Sequence, residues 1–227
     1  MRLAGLQKLT LLDYPDTVAC TLFTCGCNFR CPFCHNAPLL GQQDAPALDV
    51  EQVLDFLDKR RGILQGVVIT GGEPLLHEDI GELLMRIKRL GYAIKLDTNG
   101  SRPALLKELY AQRLIDYVAM DIKNSLPRYP ETVGISRFDT APIEESMSLL
   151  MENRVPFEFR TTLVKGLHTP ESIAELNIAV ENGSAGQKAA EEIGAANIVA
   201  VVDQATALME VAAGTADACV IDITMAL

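Results

Sequence analysis

Aromatic side chains are scarce, at 5% of 227 residues, and none follows Phe159; tryptophan is absent. Positive charge is also short. Only 20 Lys and Arg stand against 30 Asp and Glu, a net charge of −10, which excludes an extended nucleic-acid-binding surface because that needs clustered Lys and Arg. No apolar run reaches the roughly 18–20 residues of a membrane span. The stretch MRLAGLQKLTLLDYPD reaches Asp13 without a long apolar core or a small-residue cleavage site, so no signal peptide is expected. These absences leave a chain expected in the cytoplasm, with neither membrane nor nucleic acid as a partner. Its 48% hydrophobic residues suffice for one large α/β domain or two small ones. Cysteines stay reduced in that compartment, so a dense cluster of them points to metal or redox chemistry more than to disulfides.

Strand-like and helix-like patterns alternate. Val18–Phe23 is an apolar strand that leads into the cysteines. A helix follows, capped by Asp49, with Val53, Leu54 and Leu57 on one face and Gly62 ending it. Gly66–Thr70 is a buried strand ending in GGEP, and the next helix runs from about Glu78 to Leu90 with Ile80, Leu83, Leu84, Ile87 and Leu90 in a stripe. AIKLD, YVAMDIK and FEFRTTLV read as three more strands, with helical stretches at Ala104–Gln112 and Ile143–Asn153 between them. This alternation predicts an α/β fold with a parallel sheet or barrel, whose working residues gather at the C-terminal strand ends.

The polar motifs sit at those ends. Four of the six cysteines fall between Cys25 and Cys34, and Cys27, Cys31 and Cys34 form C-x3-C-x2-C. Pro32 keeps that loop from winding into a regular helix. Three thiolates at this spacing fit a closed zinc site, with Cys25, Cys20 or His35 as fourth ligand. They equally fit a [4Fe-4S] cluster that leaves one iron without a protein ligand. Cys20 and Cys219 read as small core residues, and His77 and His168 as solvated loop histidines.

TCGCNFRCPFCHN followed by GGEP at the end of the next strand resembles the radical S-adenosylmethionine (radical SAM) superfamily. The resemblance implies a partial (β/α)6-type barrel in which Cys27, Cys31 and Cys34 hold the [4Fe-4S] cluster and Cys25 is a neighbour, not a ligand. S-adenosylmethionine (SAM) would bind at the open iron. Phe33, just before Cys34, would pack near the adenine, and His35 would offer its backbone. Gly71, Gly72, Glu73 and Pro74 would receive the SAM amino group. Asp97 and Asn99 in DTNG, and Asp121 and Lys123 in DIK, would bind the methionine part. Lys123 would offset the carboxylate, while Asp97 and Asp121 would meet the amino group or a monovalent cation. Arg160 would lie near SAM; the alternative for Lys123 and for Arg160 is that each sits in an ordinary ion pair at the sheet's end.

LTLLDYPDTVACTLFTCGCNFRCPFCHN, VVITGGEPLLHEDI, IKLDTNGSRPALL and YVAMDIK together resemble the glycyl-radical activating enzymes, above all the branch that activates anaerobic ribonucleoside-triphosphate reductase. That implies reductive cleavage of SAM and abstraction of a glycine hydrogen from a partner enzyme, here anaerobic ribonucleotide reductase. A flavodoxin-like electron donor is expected, and one side of the barrel should stay open to the partner's loop. No second cysteine-rich block appears, so no ferredoxin-like extension is expected.

The match covers about residues 1–176. Residues 177–227 are Ala-rich and carry one Lys and seven acidic side chains. They resemble part of a periplasmic amino-acid-binding lobe, with IAVENGSAG as a ligand-receiving turn and Asp222 as the acidic contact. Thr169 and Pro170 read as a helix start. The stretch through Ile173, Leu176 and Val180 fits one helix equally well, whereas the binding-protein reading makes Ile178–Val180 strand. An activase barrel has a further strand here, so NIAVE or NIVAVV is expected to dock beside FEFRTTLV. Two domains are therefore expected: 1–176, and an atypical βα segment at 177–227.

Overall fold

A computed structural model describes residues 1–41, 48–152, 154–168, 177–192, 197–202, 206–207 and 218–220. The sequence-predicted helix start at Thr169 and Pro170, the residues Ile173 and Leu176, and Asp222 lie outside the described residues, as does the side chain of Cys219.

The chain opens with a strand that the sequence pattern did not reveal, β1 (Leu3–Thr10). Its burial does not alternate cleanly, and its strand character comes from antiparallel pairing with β2 (Ala19–Thr24), Leu3 opposite Thr24 and Gln7 opposite Thr21. α1 (Val50–Asp58) follows, with the Asp49 carboxylate accepting from Glu51 N and with Val53, Leu54 and Leu57 buried as expected. The helix ends four residues before Gly62, which adopts φ +77° in the turn beyond.

β3 (Gly66–Gly71), α2 (Ile80–Arg89), β4 (Ala93–Thr98), α3 (Pro103–Ala111) and β5 (Tyr117–Asp121) complete the predicted alternation. Ile80, Leu83, Leu84 and Ile87 are the buried stripe of α2, with Leu90 half-buried just past its end. A short helix α4 (Tyr129–Val133), α5 (Ala141–Met151) and β6 (Phe157–Arg160) come next. The six strands lie in sequence order in one sheet, and the pairs from β2 to β5 are parallel.

The register gives this sheet two unlike faces. Leu22, Ile69, Leu96 and Val118 form a row of side chains with no exposure. The opposite face carries Thr21, Val68, Lys95 and Tyr117 in the row before it. Because strand side chains alternate, Asp97 and Asp121 share the face of Lys95, whereas the buried Thr24 and Thr98 share the face of Leu22 and Leu96.

Two compact units are present: Met1–Asp121 with Asp139–Phe157, and Ile122–Phe138 with Glu158–Leu227. Their division falls within β6. In the second unit β7 (Asn177–Glu181), α6 (Ala185–Glu192), β8 (Asn197–Val201) and β9 (Ala218–Val220) form a separate three-stranded parallel sheet, in the order β8-β7-β9. Ile178–Val180 is therefore strand.

This arrangement overturns the expectation that NIAVE or NIVAVV docks beside FEFRTTLV. FEFRTTLV supplies a strand of only four residues, with 161–164 irregular, so its edge offers little to pair with. NIAVE pairs in register with NIVAV from Asn177↔Asn197 to Glu181↔Val201, a partner close in sequence and cheap in loop-closure entropy. Among the described residues no helix is long and apolar enough to cross a membrane.

Leu84 has no exposure at the centre of the α2 stripe. Leu84→Ala should lower unfolding free energy by about 2–5 kcal/mol, read from the urea midpoint at unchanged m-value.

Candidate functional site

The loop after β2 is assembled by its backbone. Cys25 N donates to Arg2 O at 3.1 Å, and Gly26 N to Leu39 O at 2.7 Å. From the end of β3, Gly72 N donates to Thr24 O at 3.0 Å and Glu73 N to Gly26 O at 2.7 Å. The two glycines of GGEP are needed here for steric reasons. A Cβ on Gly72 would fall 1.8 Å from Gly26 O, and one on Gly71, at φ +120°, would fall 2.2 Å from Thr24 N. The motif's backbone therefore lies directly against the cysteine loop.

Within the loop, Cys27, Cys31 and Cys34 are half-buried while Cys25 is fully buried. Cys34 N donates to Cys31 O at 3.1 Å, and Phe29 N to Cys27 Sγ at 3.3 Å. Arg30 Nη1 donates to Cys27 O and Phe29 O at 2.6 and 2.7 Å. Burial pushes the Cys27 thiol up to about 11, and the charges of Glu73, Cys31 and Cys34 push the same way against the Phe29 N–H. The three sulfurs and Glu73 thus share one electrostatic neighbourhood, and a cation bound there would displace protons. Phe33 is half-buried and His35 exposed on the same loop.

Glu73, with no exposure, joins the loop to the end of β4. Its Oε1 accepts from Thr98 Oγ1 at 2.7 Å and from Leu75 N at 3.0 Å, and its Oε2 accepts from Asn99 N at 2.7 Å. Pro74, buried, begins the short turn that follows. Asn99 closes the circuit. Its Nδ2 donates to Asn28 Oδ1 at 2.9 Å and lies 3.8 Å from Cys27 Sγ. Gly100, at φ +74°, lets Met120 approach, since a Cβ there would fall 2.1 Å from its Cε. Asp97 and Asp121 lie on one face of the sheet, Asp97 opposite Ala119, and the Asp121 charge is felt at Glu73.

Lys123 and Arg160 belong to the second unit. There Ile122 N donates to Arg160 O at 2.8 Å, so the two chain segments run side by side, and Arg160 Nη1 lies 3.9 Å from Glu158 Oε1.

Both remaining histidines correct the sequence reading that made them solvated. His77 Nε2 lies 2.9 Å from Cys25 O and pins the entry to the thiol loop. His168 is 5% exposed. Its Nδ1 accepts from Val164 N at 3.0 Å, which leaves the proton on Nε2 to donate to Lys123 O at 2.9 Å. In each case the ring's partner is a backbone carbonyl remote in sequence, which leaves no pattern to read. Thr98 and Asn28 were passed over because their side-chain partners, Glu73 and Asn99, are likewise remote in sequence. Lys95 did leave a signal, as a charged residue at a buried strand position two before Asp97.

Among the described residues no three His, Cys, Asp or Glu side chains converge as ligands of one metal ion. In a [4Fe-4S] cluster each cysteine binds a different iron. Three half-buried thiols on one loop, sharing charge and flanked by a fully buried fourth, fit a three-cysteine cluster.

Glu73 also sets a pH dependence. Burial raises it to about 7, against the donors Asn99 N, Thr98 Oγ1 and Leu75 N, and the Asp121 charge adds to the rise. The folded chain therefore keeps a proton that the unfolded chain has lost. The stability this group contributes is full below about 4.5, and it is lost as the pH rises through about 7. Unfolding of the metal-free chain by urea should show a midpoint falling over that window, and Glu73→Gln should remove that part of the slope. Gly72→Ala should retain the far-UV circular dichroism of the parent but lose most bound iron and sulfide after anaerobic reconstitution, because the Cβ displaces Gly26.

The profile of the radical SAM superfamily matches residues 21–176. A protein of Methanocaldococcus jannaschii named as a glycyl-radical enzyme activating enzyme is 33% identical over 184 residues, 79% of this chain and 75% of its own. A protein of Thermococcus kodakarensis named as a GTP 3′,8-cyclase is 30% identical over 163 residues, 70% of this chain but only 51% of its own. The crystal structure of Streptococcus suis SuiB bound to precursor peptide SuiA shares the fold, with a TM-score of 0.54 at 17% identity over 79% of this chain and 38% of that one. With the thiol loop, the GGEP clasp and the DTNG strand end joined on an α/β sheet, the chain belongs to the radical SAM superfamily.

Proposed function

We propose that the chain is an activating enzyme that cleaves SAM reductively to place a glycyl radical on a partner enzyme, with anaerobic ribonucleotide reductase as that partner and a flavodoxin-like protein as electron donor in the cytoplasm. The observation that carries the reading is the closed circuit from Gly26 through Glu73 and Asn99 back to Cys27. A [4Fe-4S] cluster on Cys27, Cys31 and Cys34 would supply, when bound, the electron that breaks the SAM sulfonium bond.

The chain's own groups would do the rest. The carbonyl and carboxylate oxygens of Gly71, Gly72 and Glu73 receive the SAM ammonium, and Pro74 fixes the turn behind them. Asp97, Asn99 and Asp121 line the strand ends that take the methionine part, and Lys123 offsets its carboxylate. Phe33 and the His35 backbone flank the adenine, and Arg160 completes the charge balance. The activating-enzyme name of the Methanocaldococcus relative supports this choice over a cyclase, whose namesake is matched over only about half its length.

A second reading is favoured by one observation. The superfamily match ends at residue 176, and β7, β8 and β9 pair with one another in their own sheet. On that reading residues 177–227 are of different origin, and the chain binds a cluster without activating a partner.

The reconstituted chain should form 5′-deoxyadenosine from SAM with dithionite under strict anaerobiosis, and Cys31→Ala should fall to background. Addition of anaerobic ribonucleotide reductase should then give a glycyl-radical doublet in the electron paramagnetic resonance spectrum. Nucleoside without the doublet would favour the hybrid, and no nucleoside from a brown, cluster-loaded chain would sink the activase reading.

A further inference from the structure

Lys95 is a buried charge that the proposed reaction does not use. Its side chain is 3% exposed, on the sheet face it shares with Asp97. Nζ donates to Asp13 O at 2.5 Å and lies 3.2 Å from Asp97 Oδ1, whose side chain is 13% exposed. It also sits 5.7 Å from the centre of the Tyr117 ring, its neighbour in register. Asp13 is held in turn, with its Oδ2 accepting from Thr21 Oγ1 at 2.5 Å.

A carbonyl, a carboxylate and an aromatic face are three groups suited to an ammonium, and a desolvated ammonium persists only with such partners. Asp97 is also the residue for which the sequence suggested a monovalent cation. A metal ion placed there would face a positive charge already in contact with the same carboxylate, in a setting of low dielectric. The donor set at Asp97 therefore does not fit an added cation.

We propose that Lys95 supplies from within the chain the positive charge at Asp97, so that SAM binds here without any monovalent metal ion. Lys95 is then a positioning residue: its ion pair with Asp97 Oδ1, a charge contact and not a hydrogen bond, neutralises part of the carboxylate's charge at the end of β4. The inference rests on the SAM-binding reading above.

The test is equilibrium binding of SAM to the reconstituted full-length holoprotein, in buffers of equal ionic strength containing choline, sodium or potassium. Wild-type affinity should agree within about twofold across the three. Lys95→Met should bind about tenfold more weakly in choline and recover in sodium or potassium, because a small cation can then occupy the vacated charge position. Lys95→Arg should behave as wild type.

A wild-type protein that needs sodium or potassium to bind SAM overturns the inference, as does a Lys95→Met loss of equal size in every salt, which a merely structural lysine would give. Should Lys95→Met fail to fold, the wild-type comparison decides alone. Absence of SAM binding in every buffer overturns the SAM reading itself and this inference with it, an outcome distinct from binding that depends on the cation.

Discussion

The contact on which the site depends is a backbone one: Glu73 N against Gly26 O, made possible because Gly72 has no side chain to fill the gap. It ties the loop that carries the thiols to the end of the neighbouring strand. Everything polar is then built outward from that clasp. The Glu73 side chain turns from it to Thr98 and Asn99, and Asn99 returns to Asn28 and approaches Cys27. A ring of donors and acceptors of this kind tolerates little displacement, since loss of one partner strands the next in a buried setting.

The sheet beneath makes such a ring affordable. One of its faces is packed with Leu22, Ile69, Leu96 and Val118, all without exposure. That leaves the other side available for Thr21, Lys95, Asp97 and Asp121. Polar side chains on this face meet one another across 4.7–4.9 Å strand spacings of the kind general to sheets. Lys95 at mid-strand donates to the backbone carbonyl of Asp13 beyond the end of β1, and Asp97 and Asp121 continue the same face toward the strand ends.

Most of the strand and helix order was legible because it rests on local periodicity: the α2 stripe, the Asp49 cap and the four apolar runs from β2 to β5. The motifs of the site were legible too, since CGCNFRC, GGEP and DTNG each sit at the C-terminal end of a strand. β1 was not, because its strand character is conferred by pairing with β2 rather than by alternation of its own residues. The roles of His77 and His168 were hidden for a similar reason, as each ring meets a carbonyl 52 or 45 residues away in sequence. The fate of NIAVE was misjudged because its apolar pattern suits any parallel partner. The chain chose the partner nearest in sequence, and the short β6 offered no competing edge.

The first unit also draws its chain from two separate stretches, Met1–Asp121 and Asp139–Phe157, with Ile122–Phe138 given to the second. During synthesis the thiol loop, GGEP and DTNG are all made before α5, yet Ser146 Oγ must later donate to Gly100 O at 2.7 Å, and Leu149 and Leu150 must bury. At ribosomal speeds of about 5–20 residues per second, the 36 residues from Asp121 to Phe157 take roughly two to seven seconds to appear. Loop closure and helix formation are faster than that by orders of magnitude. Translation therefore sets the interval between the appearance of the thiols and that of α5.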